Sequence, residues 1–359
     1  MILEQYGFNN EMKNAFSQNS QPGLVPARII TEHRGLYRVV CESGERFAEV
    51  SGKYHYHLEE KGGYPAVGDW VVLEAAGSED RAIIHDILPR KTQFIRRDSW
   101  SAEGMQVVAA NFDIVFICTS LNKNYNLRRI ERYLTLSWES GAIPAIILSK
   151  ADLCEDVERK VLEVEAVAPG VKVHVVSAVN GTGLEELRAY LSTGVTMVML
   201  GSSGVGKSTL INALAGKEVL KTSAAREDDD RGRHTTTHRQ MVLLPQGGVL
   251  LDTPGMRELG IVNAEEGLGD AFSDISEIAA NCRFNDCKHH REPGCAVKRA
   301  LADGTLDPMR YENYLKLKRE AKYVESKESR QLQMAQKQQN KKLGKFSKSH
   351  RKGESWTGR

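Results

Sequence analysis

The sequence predicts a multidomain α/β chain, and three observations carry that prediction. Five short strand-like runs crowd into the first quarter, apolar strands alternate with helical stretches through the middle, and a tight Cys/His cluster interrupts a mostly helical remainder. On these grounds the 359 residues divide into an N-terminal polar segment (1–21), an OB-type β-barrel (22–92), an α/β domain (93–263), a helical Cys/His-bearing domain (264–339) and a basic tail (340–359). A chain of this length is expected to hold about two or three domains and can bury substantial cores.

Composition narrows the partners. The net charge of +2 hides an uneven distribution: Arg330 to Arg359 carries nine Lys/Arg and one acidic residue, Glu354. Met1 to Gln21 has neither a basic leading region nor a long apolar core, so no signal peptide is read there. No apolar run approaches the ~20 residues of a membrane span, so no membrane partner is expected. Cys41, Cys118 and Cys154 are scattered, whereas Cys282, Cys287 and Cys295 fall together with histidines between them. That pattern reads as metal binding in a reducing compartment rather than a disulfide framework. A soluble, cytoplasmic monomer is the expectation.

In the barrel, strands are expected near Ala27–Ile30, Leu36–Val40, Arg46–Val50, Trp70–Glu74 and Ala82–Leu88. Arg46–Val50 alternates as a half-buried strand does, and Gly52, Gly62-Gly63, Pro65 and Gly68-Asp69 punctuate the runs. Barrels of this type often bind oligonucleotides; Arg28, Arg34, Arg38, Arg46, Lys53, Tyr54, His55 and Tyr56 supply cationic and stacking groups, or are ordinary solvated residues.

From 93 to 263 the pattern changes. Strands are expected at Phe112–Cys118, Ile143–Leu148, Lys172–Val176, Thr196–Leu200 and Val249–Leu251, with helices near Asn126–Gly141, Glu155–Ala168 and Leu184–Leu191. Such alternation argues for a largely parallel sheet with ligands at the carboxyl ends of its strands.

The most specific stretch is Gly201-Ser202-Ser203-Gly204-Val205-Gly206-Lys207-Ser208, between the strand Thr196–Leu200 and a helix opening at Thr209. It satisfies G-x-x-x-x-G-K-[ST] at every fixed position. Backbone N–H groups would wrap the phosphates, helped by the helix N-terminus; Lys207 would reach the β/γ-phosphates and Ser208 would hold Mg²⁺. Asp252-Thr253-Pro254-Gly255 ends an apolar run where a Walker-B-type Asp supports Mg²⁺. Ser149-Lys150-Ala151-Asp152 resembles the N-K-x-D element of GTPases, with Ser149 in place of Asn, and Asp152 would accept hydrogen bonds from guanine. Adenine would leave that carboxylate facing the wrong groups. Ser177-Ala178-Val179 resembles the S-A-x element that meets the guanine carbonyl. His234-Thr235-Thr236-Thr237 stands where a GTPase keeps its switch threonine, and Thr236 is the expected Mg²⁺ ligand of that switch.

Their order is permuted. The base-reading elements, 149–152 and 177–179, precede the phosphate loop. The second switch, from Asp252 onward, runs within about twenty residues into the C-terminal region, so switch ordering could pass there directly.

These motifs, with Tyr64-Pro65-Ala66-Val67-Gly68-Asp69-Trp70, Gly232-Arg233-His234-Thr235-Thr236-Thr237 and Cys282-Arg283-Phe284-Asn285-Asp286-Cys287, cover nearly the whole chain. Together they resemble the circularly permuted, ribosome small-subunit-dependent GTPases, the RsgA (YjeQ/YloQ) family. The resemblance implies an OB-fold, a GTPase domain with GTP/GDP and Mg²⁺, and a zinc domain. It further implies hydrolysis stimulated by the small ribosomal subunit and its rRNA during late maturation.

Many GTPases orient water with a Gln after the DTPG glycine, but here Gly255 is followed by Met256. His234 is the candidate for that task, since an imidazole can accept a hydrogen bond from water near neutral pH, and the resemblance points the same way. Bracing the loop or touching a partner is its alternative role. In the metal cluster, Cys282, Cys287 and Cys295 with one imidazole make a closed Cys₃His set of the structural zinc kind. His290 could be the fourth ligand; the resemblance favours His289. Arg283, Lys288, His290 and Arg291 would make a basic knob suited to rRNA phosphates. The tail, with Phe346 and Trp356 among its cations, either folds on RNA or is a solvated appendage. The leading expectation is a GTPase of small-subunit assembly. A passive RNA-binding assembly factor using GTP as a structural ligand, and a large-subunit assembly GTPase, are the alternatives.

Overall fold

The structure is a computed structural model of the whole chain and describes residues 2–19, 21–33, 35–56, 63–74, 81–97, 105–220, 239–252, 265–324 and 326. The N-terminal segment, read from the sequence only as polar, forms two helices, α1 (Ile2–Gln5) and α2 (Asn10–Asn19). The Asn9 side chain accepts the Met12 N–H at 3.0 Å at the start of α2. Leu3, Tyr6 and Met12 are buried. These apolar residues are too sparse to make a helical period legible.

The barrel is built from β1 (Leu24–His33), β2 (Leu36–Cys41), β3 (Gly44–Val50), a short helix α3 (Gly52–Tyr56), β4 (Trp70–Glu74) and β5 (Arg81–Ile87). The strands run β1-β2-β3-β5-β4, and β4 returns to pair with β1, which closes the barrel. Closure depends on the length of β1: Leu24–Arg28 pair with β4, while Ala27–His33 pair with β2 across an irregularity between Ile29 and Thr31. Ala27, Ile29, Val39, Ala48, Val71, Leu73 and Ile84 are all fully buried. Next, β6 (Gln93–Arg97) and β7 (Met105–Ala110) form a separate antiparallel pair, which the sequence reading did not foresee. Phe94 of that pair stacks on Phe112 with centroids 4.5 Å apart.

The central domain comprises β8 (Ile114–Ser120), α4 (Leu127–Glu139), β9 (Ile143–Ser149), α5 (Val157–Val167), β10 (Lys172–Val176), α6 (Leu184–Arg188), β11 (Thr196–Leu200), α7 (Lys207–Ala215), β12 (Gln240–Leu243) and β13 (Val249–Asp252). Its sheet runs β10-β9-β8-β11-β13-β12, parallel throughout except for β12. Residues of β8 alternate between two cores. Val115 and Ile117 pack with Ile130, Tyr133 and Leu134 of α4, whereas Phe116 and Cys118 pack with Leu210, Ile211 and Leu214 of α7. Covering both faces explains why these strands read as continuous apolar runs.

Barrel and central sheet are continuous, because β12 pairs with β1 at Thr31 and Gln240. Beside this seam Arg28 is buried, donating to the carbonyls of Tyr6, Gly68 and Asn111 and to Thr196 Oγ1. Burial pulls its pKa down to about 10, so it remains a cation at neutral pH. Arg28 is therefore a joint between domains, not one of the surface cations of the barrel, and Tyr54 is likewise buried, donating to Gly63 O at 2.7 Å. Lys53, His55, Tyr56 and Arg38 are exposed, and Arg34 lies outside the described residues.

The C-terminal part is helical: α8 (Glu265–Ala271), α9 (Ser273–Ala280), α10 (Ala296–Asp303) and a last helix, α11, over 308–324. It docks on α4. A Cβ at Gly267 would meet Thr135 O at 2.5 Å, so only glycine allows α8 to cross α4 this closely. The charges that complete the docking centre on Glu131, which is fully buried on α4. Its carboxylate accepts from Arg128 (2.5 Å), Arg310 (3.0 Å) and Asn313 (2.6 Å). Arg310 in turn grips Asp274 with two bonds of 2.8 and 2.7 Å and donates to Ala271 O.

Candidate nucleotide and metal sites

Three loops converge at the carboxyl ends of β9, β10 and β11. The phosphate loop leaves β11 at Gly201, where a Cβ would meet the Cys118 carbonyl at 2.6 Å. Glycine is thus required for the loop to start against β8. The Cys118 thiol beneath it is pushed up to about 12 by burial, so it packs as a neutral group. The loop closes at Gly206, which caps α7; Ser208 and Thr209 follow in the first helical turn. Lys207 folds back over the loop and donates to Gly201 O (2.8 Å) and Ser202 O (3.0 Å). Ser203 and Gly204 form the exposed rim, and Val205 is buried beneath it.

Ser149 ends β9 with its hydroxyl turned inward. It donates to the Val205 carbonyl at 2.6 Å, and its own burial leaves little of it to solvent. The Ser149 hydroxyl is thus a brace under the phosphate loop. Lys150 follows in the left-handed region, φ 57°, and its Cε would lie 3.8 Å from a Cβ on Gly206. The stem of Lys150 therefore runs alongside the loop. Ala151 and Asp152 lie in a single 3₁₀ turn, Ala151–Leu153, and Asp152 is exposed. From the end of β10, buried Ser177 donates to Asp152 Oδ1 at 2.5 Å and so fixes one carboxylate oxygen. Ala178 is next along the same loop, half-buried. Asp252 closes β13, one residue past Leu251, which pairs with Val198 of β11. His234, Thr236 and Gly255 lie outside the described residues.

One contact was not foreseen. Arg129, in the first turn of α4, donates to Ser202 Oγ at 3.1 Å and to Asn124 O at 3.4 Å. Its backbone N–H is capped by the Asn126 side chain at 3.0 Å. Nothing in the sequence could single it out, because Arg129 lies 73 residues from Ser202.

The second site lies between α9 and α10. One ligand atom each from Cys282, Cys287, His289 and Cys295 falls within 4.8 Å of all the others, a group that could hold a metal ion. Cys282 Sγ to Cys295 Sγ is 3.9 Å, and His289 Nδ1 lies 3.6 and 3.4 Å from them. A tetrahedral ion with sulfur at about 2.3 Å sets sulfurs about 3.8 Å apart, so the donor set fits zinc in spacing as well as chemistry. His289 is the histidine of the group; His290 is exposed and not part of it. Burial, with Lys318 adding to it, lowers the His289 pKa and favours the neutral imidazole a metal needs. Glu292 shapes the loop, accepting the N–H groups of Lys288 (3.1 Å), His290 (2.8 Å) and Arg291 (2.9 Å). Its own N–H and those neighbours hold its carboxyl down at about 2. Arg283, Lys288, His290 and Arg291 are all exposed around the cluster, and Arg283 leans over the Phe284 ring at 5.5 Å.

Among the described residues, no helix is long and apolar enough to cross a membrane.

Comparison with known proteins agrees with this geometry. A family model described as RsgA GTPase matches residues 87–262. A second, described as ABC transporter, matches 184–349, a span that includes the same phosphate loop. The chain is 45% identical to the small ribosomal subunit biogenesis GTPase RsgA 2 of Lactiplantibacillus plantarum, over 93% of each chain. The crystal structure of YjeQ from Thermotoga maritima superimposes with a TM-score of 0.61 at 28% identity, covering 82% of this chain and 97% of that one. The structure of YloQ, described as a circularly permuted GTPase, gives a TM-score of 0.58 over 85% of this chain and 96% of that one. At 24% identity it speaks for the fold alone. Identity of this extent, with the loops assembled in permuted order, places the chain: it belongs to the RsgA GTPase family, and it is an enzyme that hydrolyses GTP.

Proposed function

We propose that this protein is a GTPase of small ribosomal subunit biogenesis, binding the particle and its rRNA late in maturation and leaving on hydrolysis. The observation that carries this most is the meeting of the loops 149–152, 177–178 and 201–208 in a chain 45% identical, over nearly its full length, to a relative named for that role. Asp152, with one oxygen held by Ser177, offers its other oxygen to guanine, and the Lys150 stem packs on the base. Gly201 to Thr209 hold the phosphates. Ser208, Thr236 and Asp252 hold Mg²⁺, which neutralises charge developing on the phosphates. Lys207 leaves the Gly201 and Ser202 carbonyls for the β/γ-phosphates. His234 orients the attacking water, in place of the Gln that Met256 displaces. Cys282, Cys287, His289 and Cys295 hold one structural zinc ion, which fixes the basic knob of Arg283, Lys288 and Arg291 for rRNA phosphates. The domain limits are those read from the sequence: barrel 22–92, GTPase domain 93–263, zinc domain 264–339 and tail 340–359. The protein works as a cytoplasmic monomer.

The test is phosphate release from GTP and ATP with separated small and large ribosomal subunits. Stimulation by small subunits with GTP alone is expected, and lost in His234→Ala. No stimulation would point to a passive RNA-binding factor, and stimulation by large subunits to a different particle; either overturns the proposal. Metal analysis of the purified protein should return about one zinc per chain.

A further inference from the structure

The helix α4 touches both ends of the machine. At its first turn Arg129 holds Ser202 of the phosphate loop at 3.1 Å. On the turns beside it, Arg128 pairs with Asp307 (2.5 Å), Glu131 with Arg310 (3.0 Å), and Arg132 with Glu320 (2.7 Å). All three of those partners belong to the C-terminal helices or the turn leading into α11. Arg128 and Arg129 are adjacent residues, so one helical turn carries both the loop contact and the domain contact.

A second observation falls on the same seam. Thr119, near the end of β8, is on the face that α4 covers, by alternation from Val115 and Ile117. Among the described residues, its hydroxyl is the buried side-chain polar atom without a hydrogen-bond partner. Such a group is costly to leave unpaired. Its own backbone carbonyl meanwhile accepts from Ser149 (3.3 Å), the residue that braces Val205 of the loop. Side chains thus tie the loop to α4, through Arg129, and to the ends of β8 and β9, through Ser149.

We propose that Arg129 is a positioning residue that couples the phosphate loop to the C-terminal domain through α4. A load on the C-terminal helices moves α4 as a rigid rod, and Arg129 passes that movement to Ser202. This route is separate from the chain segment that runs from Asp252 into α8. By reciprocity, nucleotide in the loop biases how the C-terminal domain sits. The inference rests on the reading of 201–208 as the nucleotide site, and it names how that site is regulated.

The experiment uses the full chain and a fluorescent GDP analogue, so it does not depend on ribosomal particles. Arg129→Gln and Ser202→Ala are each expected to weaken GDP about threefold to tenfold, and the double variant no more than either single, because both remove one contact. Arg129→Lys should recover part of the loss. Asp307→Asn, which breaks the Arg128 pair while keeping a side chain able to cap α11, should shift GDP affinity at least about twofold in the parent and not at all in Arg129→Gln. Singles that multiply in the double variant overturn the positioning role. An Asp307→Asn effect that is absent, or equal in both backgrounds, overturns the coupling. Failure of the nucleotide-site reading looks different: the parent protein would not bind the analogue at all.

Discussion

On its barrel side the GTPase domain is joined mainly through strand pairing; on its C-terminal side it is joined through helix packing and a cluster of charged side chains. The first joint is strand pairing at Thr31 and Gln240, with Arg28 satisfying three carbonyls from three separate segments. The second is a cluster in which buried Glu131 meets Arg310 and Arg128, and Arg310 also holds part-exposed Asp274, flanked by the outer pairs Arg128–Asp307 and Arg132–Glu320. Beside its strand pairing the barrel joint carries one ion pair, Arg239 to Glu32 at 3.5 Å, so it depends on salt less than the C-terminal joint does. A charge cluster fails sharply when one member is lost, because the remaining charges stay buried without compensation. The barrel is thus fixed to the GTPase domain, whereas the C-terminal domain is attached by a device that can be loosened, and on the helix that also reaches the phosphate loop.

The contrast can be broken by experiment. The largest effect is expected from Arg310→Ala, which leaves buried Glu131 with Arg128 and Asn313 alone and takes the arginine from part-exposed Asp274, and should cost about 3 kcal/mol by denaturant unfolding. Amide exchange should then rise in α9 to α11 while β1 to β5 keep their protection; equal loss in the barrel would show that the two joints are not independent. Arg28→Met should cost less, about 2–3 kcal/mol, because it leaves carbonyls rather than charges unpaired, and the loss should be the same at low and high salt. A clear salt dependence there would remove the distinction between the joints. Smallest is Glu320→Gln, which takes away the half-exposed partner of Arg132. We expect about 0.5–1 kcal/mol at low ionic strength, fading towards zero in 1 M salt, read from thermal melts.

Legibility in the sequence followed how local each constraint was. Gly201 to Ser208 could be read because phosphate binding fixes residue types at fixed spacing within one turn of chain. Cys282, Cys287 and Cys295 could be read because thiolates at short spacing have few other uses in a reducing compartment. The five barrel strands showed themselves by alternation and turn residues, and the parallel strands by apolar runs. By contrast, α1 and α2 were passed over because Leu3, Tyr6 and Met12 are too few to mark a period. The β6–β7 pair and β12 were missed because their short runs, such as Gln240–Leu243, carry no pattern of their own and form only beside a partner strand. The bond from the Ser149 hydroxyl to Val205 could not be read at all, because its partner lies 56 residues on.

By itself, then, the sequence determined the motifs: a phosphate-loop pattern, a carboxylate at the position of the base-reading element, three gathered cysteines, and the permuted order of these parts. The motifs follow from residue types within a few positions of one another, and the permutation from their order along the chain. Only the tertiary structure decided how the parts are connected. Arg28, Arg129, Glu131 and Arg310 look like any other charged residues in the chain, and their roles arise from burial against segments far away in sequence. A buried charge must find partners, and which partners it finds is settled by packing, not by the residues beside it.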